Sequence, residues 1–469
     1  MRTPLRIAFH GAARTVTGSR HLMTFGDLRW LFDCGLYQGR RDEADQINRT
    51  FRFDPASLNA VIISHAHLDH VGNLPTLVNQ GFRGPIHMTE ATADLTRVML
   101  EDSAFLMEKD LEHVNKHRRD RPVRKPLYTI EDVNLVLERL VSHPYHQPWS
   151  PFQGVSVVYH DAGHILGAAL TTFEFESDGQ SRRVLMGGDL GRPARPILRD
   201  PESPPGSEVL VLESTYGDRL HSDEKANEKD LIAIVTRTLE RGGRVIVPAF
   251  AVGRTQELVA VLHGLTERGL IPELPIFVDS PMARETTAIY KRHPECFDAE
   301  TRDLFSQGEG APFGFHRLRY IGSAGESRAL NDRKEPCIII SASGMGEGGR
   351  VVHHLQHGLG NPKNTVMFVG FQGEGTLGRK LRDGLVDVNV FGEPVHVRAE
   401  IAGLDGFSAH ADQAELLAWV TSLKPMPRVI HLVHGEIGPM EILAALLREK
   451  TGATVHIPTK GQEFELWTN

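Results

Sequence analysis

Short apolar runs rich in β-branched residues recur along the chain, each closed by small or polar residues. In order they are NAVIISH (59–65), GVSVVYH (154–160), RRVLMGGD (182–189), EVLVLES (208–214), RVIVPAF (244–250), PIFVDS (275–280), CIIISAS (337–343), TVMFVGF (365–371) and RVIHLVHGE (428–436). Near-continuous runs of this length suit strands buried on both faces. Between several of them the apolar positions fall instead at helical spacing, in EKDLIAIVTRTLERG (228–242), QELVAVLHGLTERG (256–269), AELLAWVTSL (414–423) and EILAALLREK (441–450). Alternation of strand and helix predicts an α/β architecture of layered sheets and helices. In such folds the chemistry collects at the carboxyl ends of the strands.

A chain of 469 residues exceeds what one hydrophobic core usually supports, so two domains are expected. PESPPGSE (201–208) is a Pro- and Ser-rich breaker just before a strand and marks a plausible boundary. The hydrophobic share of 40% and charged share of 24% are those of a soluble globular protein. No stretch approaches the length of a membrane span, and the opening MRTPLRIAFHGAARTVTG lacks the apolar core of a signal peptide or anchor. Three cysteines, Cys34, Cys296 and Cys337, are far apart and odd in number, which argues against a disulfide framework and fits a reducing cytoplasm. The net charge of -8 is not the footprint of a general nucleic-acid binder, so any contact with a polyanion must be local. The densest basic stretch is KHRRDRPVRK (116–125), for which a solvated helix end is the simpler reading.

Candidate chemistry enters at residues 65–70, His-Ala-His-Leu-Asp-His, directly after the run Val61-Ile62-Ile63. Three imidazoles and a carboxylate offer mixed nitrogen and oxygen donors, which suits zinc or a similar divalent ion. Four ligands in one tight turn are hard to aim at a single tetrahedral ion. The spacing therefore predicts two pairs, His65 with His67 and Asp69 with His70, each addressing its own metal. Many clustered histidines are plain surface or core residues, and this chain has 24, but ligands this dense at a strand end are uncommon by chance. Two ions demand further ligands at other strand ends.

Such residues are present. His164 follows the run at 154–160, Asp189 closes the run at 182–189, and His434 ends Val429-Ile-His-Leu-Val. His164 can complete the first pair and His434 the second. Asp189 is the natural bridge, since a carboxylate can hold two ions about 3.5–4 Å apart. Taken singly, each has a structural alternative; Asp189, for example, could be a turn former or helix cap. As a set they predict a dinuclear hydrolytic site, where coordination lowers the pKa of water to about 7 and supplies a hydroxide nucleophile. Asp33, in Leu-Phe-Asp-Cys-Gly, is a candidate to accept the outer N–H of a ligating imidazole, with a plain turn aspartate as the alternative.

Taken in order, Asp33, His65-x-His67-x-Asp69-His70, His164 and Asp189 resemble the motif set of the metallo-β-lactamase fold. That resemblance implies an αββα sandwich of two mixed sheets with the metal site at one edge. His434 lies a whole domain beyond Asp189, and the intervening sequence resembles the β-CASP branch, whose members process nucleic acids. Glu213 in Leu-Glu-Ser-Thr-Tyr-Gly, His410 in Phe-Ser-Ala-His-Ala-Asp and His434 in Val-His-Gly-Glu match that family's successive motifs. The chain is most similar to prokaryotic relatives of the cleavage-and-polyadenylation endonuclease. It shows neither the added amino-terminal RNA-binding domain of some archaeal relatives nor the long carboxyl-terminal extension of ribonuclease J. The organisation implied is a metallo-β-lactamase domain at 1–210, an inserted α/β β-CASP domain at 211–395, and a return to the first domain at 396–469.

The resemblance also implies a function. The chain is expected to be a cytoplasmic, zinc-dependent ribonuclease with two Zn2+ per chain, manganese being the alternative. It would hydrolyse single-stranded RNA by a two-metal hydroxide, as an endonuclease with a 5′-to-3′ exonuclease mode left open, leaving a 5′-phosphate and a 3′-hydroxyl. By analogy His410 is the general acid and Glu213 the carboxylate that orients and charges it, with Asp69 counted among the catalytic residues. A homodimer is a candidate assembly, and no membrane contact is expected. Gly-rich loops at Ser341–Gly349 and Gly373–Arg379 make Ser343, Gly344 and Thr376 candidates for phosphate binding, with Arg254 as a charged partner. Tight turns and a structural ion pair explain those residues equally well. His353, His354 and His357 share a predicted helix, where packing is a simpler reading than metal binding. Gly11–Gly18 resembles the family's loop near the metal site. Three other functions are weighed against this one: a small-molecule hydrolase of the same fold (thioesterase or lactonase), a β-CASP DNA nuclease, and a non-catalytic RNA-binding subunit.

Overall fold

The computed structural model describes residues 4–39, 41–116, 125–177, 179–306, 313–370, 372–373 and 375–467. The basic stretch at 116–125 lies almost wholly outside the described residues. Among the described residues no helix is long and apolar enough to cross a membrane, and Cys34, Cys296 and Cys337 are buried and form no disulfide. The chain divides into two compact units. One comprises Met1–Pro193, Asp200–Leu220 and His410–Asn469, the other Ala194–Arg199 and His221–Ala409.

The first unit holds two mixed sheets of seven strands. In spatial order the first sheet runs Gln462–Trp467, Leu5–Phe9, His21–Phe25, Leu28–Phe32, Ala60–Ile62, Ile86–Thr89 and Leu140–His143. The second runs Thr454–His456, Val429–Val433, Val209–Glu213, Gln180–Met186, Ala169–Ser177, Val155–Asp161 and Trp149–Phe152. The strand Val155–Asp161 shows why they face each other: Val155, Val157 and Tyr159 are buried while the residues between them are partly exposed, the period of two expected of a pleated strand. Those side chains share one core with Ile7, Met23, Trp30, Phe32 and Ile62 of the opposite sheet. Aromatic rings bridge the gap, with Trp30 and Phe173 at 5.9 Å and Phe25 and Phe175 at 5.2 Å between centroids. The outer face of the first sheet packs Leu31, Val61 and Ile63 against Leu74, Leu77, Leu100 and Val133 of its helices. Helix Ile437–Thr451 covers the strands Val429–Val433 and Thr454–His456 of the second. The result is a helix–sheet–sheet–helix sandwich.

The second unit is built on a six-stranded parallel sheet, in the order Leu318–Tyr320, Ile276–Asp279, Ile338–Ser341, Val245–Pro248, Thr365–Phe368 and Glu400–Gly403. Its central strands are buried on both faces, as their continuous apolar runs predict. Val245, Val247, Ile338 and Ile340 pack against Leu258, Leu262 and Val235 on one side, while Ile246, Val366 and Phe368 pack against Val351 and Leu355 on the other. Strand Val209–Glu213 is hydrogen-bonded between Gln180–Met186 and Val429–Val433, so Glu213 belongs to the first unit, whereas a division after residue 210 assigns it to the insertion.

One buried polar cluster organises the second unit. Asp279, fully buried at its strand end, accepts hydrogen bonds from Ser327 Oγ at 2.6 Å, Arg350 Nη1 at 2.7 Å and His354 Nε2 at 2.7 Å. His354 Nδ1 lies 2.7 Å from Asn331 Oδ1, so both ring nitrogens of this histidine are spent inside the core. Burial opposes the charge on Asp279, but the hydrogen bonds from His354, Ser327 and Arg350 outweigh it and hold its carboxyl below the usual range. Replacing Asp279 with Ala strands the buried His354 and the Arg350 guanidinium without a counter-charge. The expected loss is about 3–5 kcal/mol of stability, read as a lower urea midpoint by far-ultraviolet circular dichroism.

Candidate metal centre

All nine ligand and proton-donor candidates fall within the first unit, eight of them at the ends of its strands or on segments that follow them and His410 just ahead of helix Gln413–Ser422. His65 and His67 follow strand Ala60–Ile62, and Asp69 and His70 lie on the one-turn helix Leu68–Val71. His164 sits in the loop between Val155–Asp161 and Ala169–Ser177. Strands Gln180–Met186, Val209–Glu213 and Val429–Val433 are parallel neighbours, so their carboxyl ends bring Asp189, Glu213 and His434 side by side. His434 takes a left-handed backbone, φ 49°, and its N–H donates to the Ala12 carbonyl at 2.7 Å. A non-glycine residue in that region is held there by its surroundings.

The side chains converge as two sets, His65–His67–His164–Asp189 and Asp69–His70–His434. Ligand atoms about 2.0–2.1 Å from a tetrahedral ion stand about 3.3–3.4 Å from one another. In the first set His67 Nδ1 lies 3.1 Å from His65 Nε2 and 3.3 Å from His164 Nε2, and Asp189 Oδ2 lies 3.5 and 3.6 Å from those two nitrogens. In the second, Asp69 Oδ2 lies 3.2 Å from His434 Nε2 and 3.8 Å from His70 Nε2, and Asp189 Oδ1 lies 3.4 Å from His70 Nε2. The first set has the edges of a tetrahedron around a divalent ion, and in the second Asp69 stands at ligand spacing from both His434 and His70. Asp189 turns one oxygen to each, and neither oxygen has a hydrogen-bond partner although both are buried. His70 Nε2 is likewise buried without one. A buried carboxylate in that state is costly unless a cation meets it, so the residues fit two metal ions.

The protonation pattern agrees. Burial chiefly holds His65 and His164 well below the usual imidazole range and lowers His67 to about 4, which leaves them neutral with lone pairs to give. At His70 burial also opposes charge, but the carboxylates of Asp189, Asp33 and Asp69 outweigh it and raise its pKa well above the usual value. Three carboxylates around one ring mark a place that calls for positive charge. Asp33 Oδ2 lies 2.7 Å from His70 Nδ1, which turns Nε2 toward the second set. Asp33 is fixed in turn by the Ser64 N–H at 2.8 Å and the Ser64 hydroxyl at 2.9 Å. The same hydroxyl lies 3.0 Å from His65 Nδ1, so Ser64 ties the outer nitrogens of both sets together. The sequence reading passed over Ser64, although its place between the strand and His65 was the available signal.

Beside the first set, His410 Nδ1 lies 3.0 and 3.1 Å from the two oxygens of Glu213. Glu213 is fully buried and is held by the Leu190 N–H at 2.8 Å and the Thr215 N–H at 3.3 Å. Burial disfavours the charged form of His410, but Glu213 outweighs it and raises the pKa to about 9. The His410 and His164 rings are 4.6 Å apart, which puts a protonated imidazole next to the first set. Thr215 was not singled out from sequence; its hydroxyl lies 3.1 Å from His434 Nδ1.

The remaining candidates lie in the second unit. Arg254 is buried and ion-paired to Glu257, which also pairs with Arg195, so its guanidinium is engaged. Thr376 caps the short helix Leu377–Arg382 by accepting from the Arg379 N–H at 3.2 Å, and Glu347 accepts the Leu377 N–H. A carboxylate therefore already occupies that helix start. Gly344 is buried against Phe250, and the Ser343 N–H donates to the Gly348 carbonyl at 3.1 Å. Gly344 serves the turn in which it sits, whereas the Ser343 hydroxyl is buried without a hydrogen-bond partner.

Three family models match the chain: the metallo-beta-lactamase superfamily over residues 22–214, the Beta-Casp domain over 255–381, and the Zn-dependent metallo-hydrolase RNA specificity domain over 394–458. Ribonuclease TTHA0252 of Thermus thermophilus is 38% identical over 443 residues, covering 94% of this chain and 96% of that protein. Transcription termination factor FttA of Methanocaldococcus jannaschii is 33% identical over 440 residues, covering 92% of this chain and 67% of that protein. A crystal structure of a protein of unknown function from Enterococcus faecalis V583 has a TM-score of 0.56 at 15% identity, covering 99% of this chain and all of that one, which is a likeness of fold.

Two substitutions probe the centre without touching a ligand. Asp33→Ala frees the His70 ring, and zinc affinity by chelator competition is expected to fall about 10- to 100-fold. Gly35→Ala brings a methyl group to 1.6 Å from the Asp69 carbonyl oxygen, which must move. Its zinc content by mass spectrometry is expected to fall below the native value.

Proposed function

Because this chain belongs to the β-CASP ribonuclease family of the metallo-β-lactamase superfamily, we propose that it is a zinc-dependent endoribonuclease acting on single-stranded RNA with two ions per chain. The reading rests above all on Asp189, a buried carboxylate that offers one oxygen to each of two ligand sets. His65, His67 and His164 hold one ion with it, and Asp69, His70 and His434 the other. Bound divalent ions would activate water and neutralise charge on the phosphoryl oxygens.

The chain's own residues supply the rest. Asp33 and Ser64 keep the ligating rings aimed, so that little reorganisation is needed during reaction. His410 holds a proton beside the first set and gives it to the departing 3′ oxygen as the phosphodiester bond breaks, leaving a 3′-hydroxyl and a 5′-phosphate. Glu213 keeps the ring charged and oriented, and is itself fixed by the N–H groups of Leu190 and Thr215. A thioester releases a thiolate, which needs no such donor, so the His410–Glu213 pair favours the nuclease reading over a thioesterase.

The test uses single-stranded RNA labelled at either end. Internal fragments are expected from both labels, lost with a chelator, restored by zinc better than by manganese, and absent with His67→Ala. Release of mononucleotides from the 5′ end instead would make the enzyme an exonuclease. Absence of metal-dependent RNA cleavage, with turnover of a thioester or lactone, would overturn the ribonuclease reading. His410→Ala is expected to lower kcat about 10²- to 10⁴-fold while the zinc content stays at two.

A further inference from the structure

The loop Gly11–Gly18 gives no ligand to the metal centre, yet it is fastened to it at both ends. The Ala12 carbonyl accepts the His434 N–H at 2.7 Å, and the Ser19 N–H donates to the Asp69 carbonyl at 2.8 Å. The loop closes so tightly that a Cβ at Gly11 would stand 1.7 Å from the Gly18 carbonyl oxygen. Between this loop and the residues His10, Arg20, Tyr37 and Lys460 lies a shallow, solvent-open depression of about 40 Å³. It therefore adjoins the Asp69–His70–His434 set.

Cations crowd its rim. Arg20 is buried, with its donors on neutral oxygens: the Gly35 carbonyl at 3.0 Å, the Ile47 carbonyl at 3.4 Å and Asn48 Oδ1 at 2.8 Å. Lys460 is exposed, with its ammonium 5.8 Å from the centre of the Tyr37 ring, and Arg52 reaches within 3.0 Å of a Cβ placed on Gly461. Among the described residues neither Lys460 nor Arg52 stands in an ion pair. Glu43, 3.4 Å from the Tyr37 hydroxyl, is the acidic group on this rim. Burial lowers the Lys460 pKa, and Arg20 and Arg52 lower it further; burial lowers His10 to about 4, with Arg52, Arg20, Arg29 and Lys460 adding to the effect. In a protein of net charge -8, such unpaired like charges in one concave place are what an anion would relieve. Aromatic surface lies with them: Tyr37 under Lys460, and Phe53 with its ring 5.2 Å from His10.

We propose that this depression is a nucleotide subsite for the RNA strand beside the scissile bond, with Lys460 and Arg52 binding a backbone phosphate and Tyr37 stacking a base. The inference rests on the ribonuclease reading of the neighbouring centre. Phosphate contacts of this kind position a strand without reading its sequence, and base–aromatic stacking tolerates any base. The subsite thus predicts grip without sequence preference.

The test measures binding of a fluorescein-labelled single-stranded RNA by anisotropy, in the slow-cutting His410→Ala background with metals in place, and cleavage kinetics in the otherwise native enzyme. Lys460→Gln is expected to weaken binding about tenfold and to flatten the plot of log affinity against log salt by about 0.7. Lys460→Arg is expected to restore both. Tyr37→Ala is expected to weaken binding about 5- to 100-fold with the salt slope kept. In cleavage, both losses should raise KM and leave kcat little changed. Native affinity and native salt slope in Lys460→Gln, while the native enzyme still cuts RNA, would overturn the subsite and leave the ribonuclease reading standing. If the native protein cuts no RNA, the ribonuclease reading falls first and takes the subsite with it. Lys460 is exposed, so its substitution keeps the test decisive even if Tyr37→Ala fails to fold.

Discussion

Everything at the centre depends on one buried carboxylate. Asp189 is 1% exposed, and neither of its oxygens has a hydrogen-bond partner. Taking an ionised carboxylate out of water costs several kcal/mol, and only opposite charge at close range recovers it. The imidazoles of His65, His70 and His164 stand 3.4–3.6 Å from Asp189, too far for good hydrogen bonds and at the right distance to share ions with it. The surrounding architecture serves this geometry. Three parallel strands of one sheet deliver Asp189, Glu213 and His434 in a row, and the opposite sheet delivers His65 and His67 from the end of its own parallel strand. The aromatic core between the sheets fixes their separation and therefore the distance between ligands from the two sides.

The outer groups extend that constraint. A ligating imidazole must present one nitrogen and hide the other, so each needs a partner on its far side. Asp33 does this for His70, and Ser64 serves both Asp33 and His65. The same Asp33 adopts a left-handed backbone at φ 60°, an unfavourable state for a non-glycine residue. Its carboxylate can reach Ser64 and His70 together from there, which explains why the strain is tolerated. Glu213 plays the equivalent part for His410, with backbone N–H groups rather than hydroxyls behind it.

How much of this was legible in the sequence follows from what kind of signal each part leaves. The four central strands of the second unit are buried on both faces, so they appear as unbroken apolar runs, and each predicted run has a strand within it. The strands Leu5–Phe9, His21–Phe25, Leu28–Phe32 and Gln462–Trp467 pair antiparallel at one side of their sheet, where polar residues interrupt the run, and the pattern passed over them. The ligand candidates were legible because metal chemistry restricts residue types and places them at strand ends. Ser64 and Thr215 were not, because a hydroxyl that supports a ligand looks like any other serine or threonine. The Gly-rich loops of the second unit carried the opposite risk. Their glycines and Thr376 read as a phosphate cradle, but Glu347 already caps the helix start and Arg254 is committed to Glu257. A motif records that backbone N–H groups are offered, and only the fold records whether a carboxylate of the same chain has taken them.

The balance of charge links these observations. Asp33, Asp69, Asp189 and Glu213 gather negative charge at the place where a polyanion must approach, in a protein that is acidic overall. Two divalent ions would cancel those four negative charges, so the ions matter for binding the strand as well as for chemistry. By linkage, whatever the ions add to affinity for a phosphate chain, the chain adds to affinity for the ions. The cations beside Tyr37 act differently. They are fixed by the fold, they lie outside the ligand sets, and their attraction persists whether or not the ions are bound. A strand gripped there meets the centre with its approach already determined, which lets a weakly attractive, net-negative surface reject other anions while holding one that also reaches the metal site.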